Sequence, residues 1–272
     1  MAIDPFRIRD HVADFDDIVA DIRTRSETAR ASLAMEADIA YGSDPTETLD
    51  LFFPAGPRAD LPVHIFIHGG YWRMFSKRDY SYVAQTVTRA GAIAVIVDYA
   101  LMPAVRMATI VDQVRRAKSW VIDNIAEHGG DPRRLTVSGH SAGAHLATFL
   151  FHASDAPSGI RAALLLGGLY ELAPLQISFL RPEIGITDAE VAAFSPATHR
   201  HDRSTAVSVL VGAEETEPFH RQADAFASLL RSQRCPVSRY DLPRQNHMSS
   251  IRDLGVPGTE AAARLSALLA GV

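Results

Sequence analysis

Short, largely apolar runs alternate with longer helix-like stretches along most of this 272-residue chain. The runs lie at 92–97, 135–138, 162–166 and 207–211, and the helix-like stretches at 80–89, 109–127, 142–152 and 218–231. A strand with one face in water alternates apolar and polar residues, whereas a strand that is apolar throughout is covered on both faces. The pattern therefore predicts an α/β fold with a mostly parallel sheet and helices on both of its faces. Two earlier runs, 48–54 and 62–67, have hairpin-length connections, and about eight strands are unevenly served by helices. An open doubly wound sheet fits that count better than a closed barrel.

The flanking segments are less regular. Residues 10–40 are charged and Ala-rich, with Val12, Phe15, Ile18, Val19 and Ile22 at helical spacing, and read as an N-terminal helical segment. Residues 167–203 contain Pro174, Pro182 and Pro196 and are expected to form a small cap or excursion over the sheet, close to the substrate pocket. No internal repeat, low-complexity tract or Gly/Ser linker is visible, so one domain over 1–272 is the simplest account.

The net charge of −5, without a run of Lys or Arg, argues against nucleic acid as a partner. One cysteine, Cys235, cannot form an internal disulfide or a multi-cysteine metal site. The first residues lack the basic and apolar regions of a signal peptide, and no stretch reaches the roughly 18 apolar residues of a membrane span. No membrane association and a cytoplasmic location are expected.

The chemistry concentrates in Leu135-Thr136-Val137-Ser138-Gly139-His140-Ser141-Ala142-Gly143-Ala144-His145-Leu146. An apolar strand runs into Gly-x-Ser-x-Gly and out into a helix, the context of a nucleophile elbow. Neighbouring backbone comes so close at such a turn that side chains at 139 and 143 would clash. The helix behind Ser141 aims its positive dipole end at developing negative charge. A serine hydroxyl needs a base, which in this arrangement follows the last strand. Of 11 histidines, His247 alone lies beyond His220, directly after a strand-like run. The orienting acid belongs at the end of the preceding strand, where 207–212 leads into Ala213-Glu214-Glu215-Thr216-Glu217. Glu215, three residues after the strand-ending glycine, is the choice and Glu214 the rival. Asp202 and Asp224 read as solvated surface groups. Donors for an oxyanion are expected from the backbone amides of Gly70, Tyr71 and Ala142, in a loop that reads His68-Gly69-Gly70-Tyr71-Trp72. His68 reads as a structural hydrogen-bonding residue.

These two motifs, His68-Gly69-Gly70-Tyr71-Trp72 and Gly139-His140-Ser141-Ala142-Gly143-Ala144-His145, closely resemble the arylformamidase, or kynurenine formamidase, branch of the α/β-hydrolase superfamily. That branch neighbours the hormone-sensitive-lipase-like esterases, whose equivalent loop has a third glycine. Tyr41-Gly42 to Asp50-Leu51, Ser195-Pro196, Phe219-His220-Arg221-Gln222 and Asn246-His247 extend the resemblance over most of the chain. It implies the α/β-hydrolase fold, Ser141, Glu215 and His247 as a catalytic triad, and amides of Gly70 and Tyr71 in the oxyanion hole. The family commonly has an aspartate where this chain has Glu215, which keeps the acid open between Glu215 and Glu214. Its Pro-Glu order is reversed here as Glu217-Pro218.

Hydrolysis of a small N-formyl amide such as N-formylkynurenine, or of a short acyl ester, is the leading expectation. A general carboxylesterase and a catalytically inactive binding protein are the alternatives. A formyl group calls for a tight acyl pocket and an aromatic leaving-group site, for which Tyr71, Trp72, Phe75 and Tyr170 are the candidates. His199-Arg200-His201-Asp202 reads as a charged loop rather than a metal site, and Cys235 as a structural thiol. No phosphate-binding glycine loop is present, and neither cofactor nor metal is implied.

Overall fold

A computed structural model describes residues 3–154 and 156–271 of the chain. Eight strands form one sheet in the order β1-β2-β4-β3-β5-β6-β7-β8. They are β1 (Ala34–Ala40), β2 (Thr48–Phe53), β3 (Leu61–Ile67), β4 (Ile93–Val97), β5 (Gly130–His140), β6 (Ile160–Leu166), β7 (Ala206–Gly212) and β8 (Val237–Leu242). From β4 across to β8 every neighbouring pair is parallel. The first two strands run antiparallel, β1 against β2 and β2 against β4. This is the α/β-hydrolase fold, with the eight-stranded, mostly parallel sheet that the apolar runs predict.

Every residue of β4 is buried, as is β5 from Leu135 onward, because helices cover both faces. On one face pack α1 (Phe15–Ser32), α2 (Lys77–Tyr80), α3 (Ala84–Arg89), α9 (His247–Leu254) and α10 (Glu260–Ala270). On the other lie α4 (Met107–Asn124), α5 (Ala142–Thr148) and α8 (Glu217–Ser232), with two short helices, α6 (Arg181–Ile184) and α7 (Asp188–Phe194), beyond them. Among the described residues no helix is long and apolar enough to cross a membrane.

The N-terminal segment differs from its expectation. Only Phe15–Ser32 is helical, with Phe15, Ile18, Val19 and Ile22 buried, and residues 34–40 form the edge strand β1. Ala-Met-Glu-Ala-Asp-Ile-Ala has no β-branched residue except Ile39, so propensity favours a helix. Pairing with β2 overrides that preference. Behind it, Asp50, wholly buried, accepts hydrogen bonds from Arg30 and from Lys77 Nζ at 2.8 Å, and Asp38 accepts from the same Lys77 at 2.6 Å. A buried carboxylate is tolerated when paired in this way. The stretch 80–89 is helical throughout as expected, with a 3-10 turn over Ser81–Val83 joining α2 to α3.

Candidate active site

β5 delivers Ser141 at a sharp turn before α5. Its φ of 55° and ψ of −119° lie in a region that costs a non-glycine residue about 1–3 kcal/mol and persists only under surrounding constraint. The constraint is visible. Ser141 N–H donates to Leu166 O at 2.8 Å, tying the turn to the end of β6. A Cβ on Gly143 would sit 2.0 Å from Ile67 O, and one on Gly139 would sit 2.2 Å from Gly143 O. Only glycines allow the two strand ends and the helix to meet so closely. Ala142 opens α5, where the first amide hydrogens have no partner within the helix and face the turn.

Glu215 and His247 come from adjacent loops. Glu215 N–H donates to Gly212 O at 3.0 Å, and Gly212 N–H returns a 2.8 Å bond to Glu215 Oε1. This reciprocal turn aims the second oxygen, Oε2, at His247 Nδ1, 2.6 Å away. His247 opens α9, whose cap is Asn246, with Oδ1 accepting from the amides of Met248 and Ser249. The amides of Ala213 and Glu214 donate to Leu242 O and Gln245 O, locking the two loops together. Glu214 itself is exposed, and Glu217 is exposed beside Arg221.

The imidazole of His247 is held between two rings, His140 at 4.4 Å and Phe219 at 4.6 Å between centroids. His140 Nε2 donates to His247 O at 3.0 Å. Burial, with a smaller contribution from His247 nearby, pushes the His140 pKa well below the ordinary histidine value. His140 is therefore a neutral neighbour. Because Nδ1–H of His247 points at a carboxylate, its Nε2 carries the lone pair. His247 lines a cleft together with Ser141, Gly70, Tyr71, Phe75 and Met248.

The loop after β3 forms the opposite wall. Gly70 (φ 109°), Tyr71 (φ 54°), Trp72 (φ 58°) and Phe75 (φ 71°) all have positive φ, and a Cβ on Gly70 would meet Met74 O at 2.3 Å. A glycine is required there. His68 is buried and stacks on Tyr99 at 4.2 Å, its Nδ1 donating to Gly69 O at 2.8 Å. That agrees with a structural role.

Two of the four aromatic candidates do not line this cleft. Trp72 is fully buried and donates its Nε1–H to His145 Nδ1 at 3.2 Å. Tyr170 stacks on Phe226 at 4.1 Å in the core beneath α8, where burial raises its pKa, with a smaller contribution from Glu215. Residues 167–203 do not line the cleft either. From the N-terminal segment Ile8 and Phe15 also line the space, a contribution the sequence pattern does not show. The cleft is small, about 20 Å³. Open grooves of about 640 and 680 Å³ lie elsewhere, beside Arg161 and Arg264 and beside Arg200 and Asp202, and contain neither Ser141 nor His247. Among the described residues no group of three or more His, Cys, Asp or Glu side chains could hold a metal ion.

A family model described as the alpha/beta hydrolase fold matches residues 64–250. The chain is 29% identical over 245 residues to a kynurenine formamidase of Danio rerio, covering 87% of this chain and 82% of the relative. It is 30% identical over 244 residues to the esterase LipQ of Mycobacterium tuberculosis, covering 80% of this chain and 58% of the relative. A solved structure from Silicibacter sp. TM1040 superposes with a TM-score of 0.85 at 24% identity, over 98% of this chain and 97% of that one.

Proposed function

The chain belongs to the α/β-hydrolase fold family, and from that premise we propose that it is a serine hydrolase cleaving a small N-formyl amide of the arylformamidase type. The observation that carries the reading is the pairing of His247 with Glu215 at 2.6 Å beside a cleft shared with Ser141. Ser141 Oγ attacks the formyl carbon while His247 Nε2 takes its proton, and Glu215 stabilises the imidazolium that results. The amides of Ala142, Gly70 and Tyr71 receive the negative charge on the carbonyl oxygen. Collapse breaks the C–N bond, His247 returns the proton to the departing amine, and an O-formyl serine remains. Water then adds with His247 again as base, releasing formate and restoring Ser141. The net reaction is amide plus water to amine plus formic acid.

The cleft is narrow beside the open grooves elsewhere on the molecule, which favours a small acyl group. The kynurenine formamidase relative agrees in substrate class. Likeness to an esterase supports short acyl esters as the second reading, since the same steps cleave either bond. The test is kcat/KM for N-formylkynurenine relative to 4-nitrophenyl acetate, with Ser141→Ala as the blank. A ratio well above one supports the formamidase; a ratio near zero with the ester still cleaved makes the enzyme a carboxylesterase.

A further inference from the structure

The cleft that contains Ser141 and His247 is narrow, and one of its walls is the N-terminal strap, residues 4–12, together with the start of α1. Ile8 and Phe15 line the space. The strap crosses three loops and is fastened to each. Asp4 Oδ2 accepts from Phe179 N–H at 2.5 Å, and Pro5 O accepts from Thr216 Oγ1 at 2.7 Å. In the middle, the Tyr71 hydroxyl donates to Phe6 O at 2.7 Å and accepts from Ile8 N–H at 3.2 Å. One phenol oxygen thus holds the strap on both sides of Arg7.

We infer that Tyr71 is a specificity-determining residue whose hydroxyl latches the strap as a gate for the leaving group. The inference rests on the proposed serine hydrolase reading and adds what controls access to it. Substrates that fit under the seated strap react without disturbing it. Larger leaving groups react only with the fraction of molecules in which the strap is raised, so their apparent affinity is reduced by that fraction. Phe6 and Ile8 are buried, so the seated state dominates, and the latch bonds set much of the remaining balance. The phenol acts here through the strap and not on the reacting atoms. The backbone amide of the same residue is a separate group, left in place when the hydroxyl is removed.

The experiment compares phenyl formate with methyl formate in the wild-type chain, Tyr71→Phe and Thr216→Val. The phenyl ring remains in Tyr71→Phe, and the Tyr71–Phe179 edge-to-face contact at 5.3 Å needs no hydroxyl. In Tyr71→Phe, loss of two neutral hydrogen bonds is expected to raise the phenyl-to-methyl ratio of kcat/KM roughly tenfold, carried by KM; the variant expected to leave methyl formate within about twofold is Thr216→Val. Thr216→Val releases the strap at a second point and should move the ratio the same way by a smaller factor. Trypsin cleavage after the exposed Arg7 and Arg9 should accelerate in parallel. An unchanged ratio in Tyr71→Phe, or an equal loss on both formates, overturns the gate while leaving the serine mechanism standing. A wild-type chain that cleaves neither formate removes the functional reading and the gate with it.

Discussion

Replacing Glu215 by Gln changes one atom in a buried pair and tests the assignment of the orienting acid. Both carboxylate oxygens are committed as acceptors, Oε1 to Gly212 N–H at 2.8 Å and Oε2 to His247 Nδ1 at 2.6 Å. A glutamine has one acceptor oxygen and one amide that only donates. If the oxygen stays on His247, the amide faces Gly212 N–H, donor against donor. The turn that positions the side chain then opens. If the oxygen stays on Gly212, the amide donates to His247 Nδ1 and forces the proton to Nε2, where it blocks abstraction from Ser141. The first arrangement loses the positioning turn and the negative charge, the second the productive tautomer, and comparable changes in serine hydrolases cost about 10⁴ in kcat, or roughly 5.5 kcal/mol at 1.36 kcal/mol per decade. The assay is kcat on 4-nitrophenyl acetate for Glu215→Gln beside Glu214→Gln, with circular dichroism to verify folding. Glu214 is exposed, so its variant should stay within about twofold. A loss below tenfold in Glu215→Gln, or an equal loss in Glu214→Gln, would refute the reasoning.

Gly167→Ala should lower kcat by roughly 10–100-fold while the protein still folds, since a 1 Å misplacement of a catalytic group costs about that much. Its φ is 54° and the added Cβ would lie 3.0 Å from His247 Nδ1 and 3.1 Å from Glu215 Oε1; wild-type kcat in this variant would contradict the geometry. Gly143→Ala should destabilise far more, by roughly 3 kcal/mol or beyond, because its Cβ meets backbone at 2.0 Å; urea unfolding with a midpoint near wild type would count against it. Stability should also fall below neutral pH through His64, which burial pushes down to about 3. Above pH 6.5 neither state binds its proton; as pH falls toward 3 the unfolded chain takes one up and the folded chain does not. Stability is therefore present above 6.5 and lost by about 1.4 kcal/mol per pH unit across the window between the two values. Urea titrations at pH 5.5 and 4.5 should give a slope shallower by that amount in His64→Gln, and equal slopes would dispose of the argument.

The strand-elbow-helix at Ser141 was legible because steric demands fall on neighbours in sequence: an apolar strand, two glycines, then a helix. The parallel sheet was legible for a similar reason, as double-sided burial leaves continuous apolar runs. β1 was not, because its residues have no strand preference of their own and take that form only on pairing with β2. The choice of Glu215 over Glu214 as the partner of His247 depends on the turn that bonds Glu215 to Gly212, which spacing suggests but does not determine. Trp72 and Tyr170 were misplaced as cleft residues since aromatic identity does not distinguish a pocket wall from a core ring. Both bury their rings against distant partners, His145 and Phe226. The strap was invisible for the same reason: Ile8 and Tyr71 are 63 positions apart, and no local pattern links them.

The central claim is that Ser141 carries the acyl group. Mass analysis of the protein quenched during turnover of 4-nitrophenyl acetate should find one acetyl group, on the peptide containing Ser141, with an initial burst of nitrophenol. Both signals should vanish in Ser141→Ala. Acetyl at another residue, or undiminished turnover in Ser141→Ala, would contradict the account.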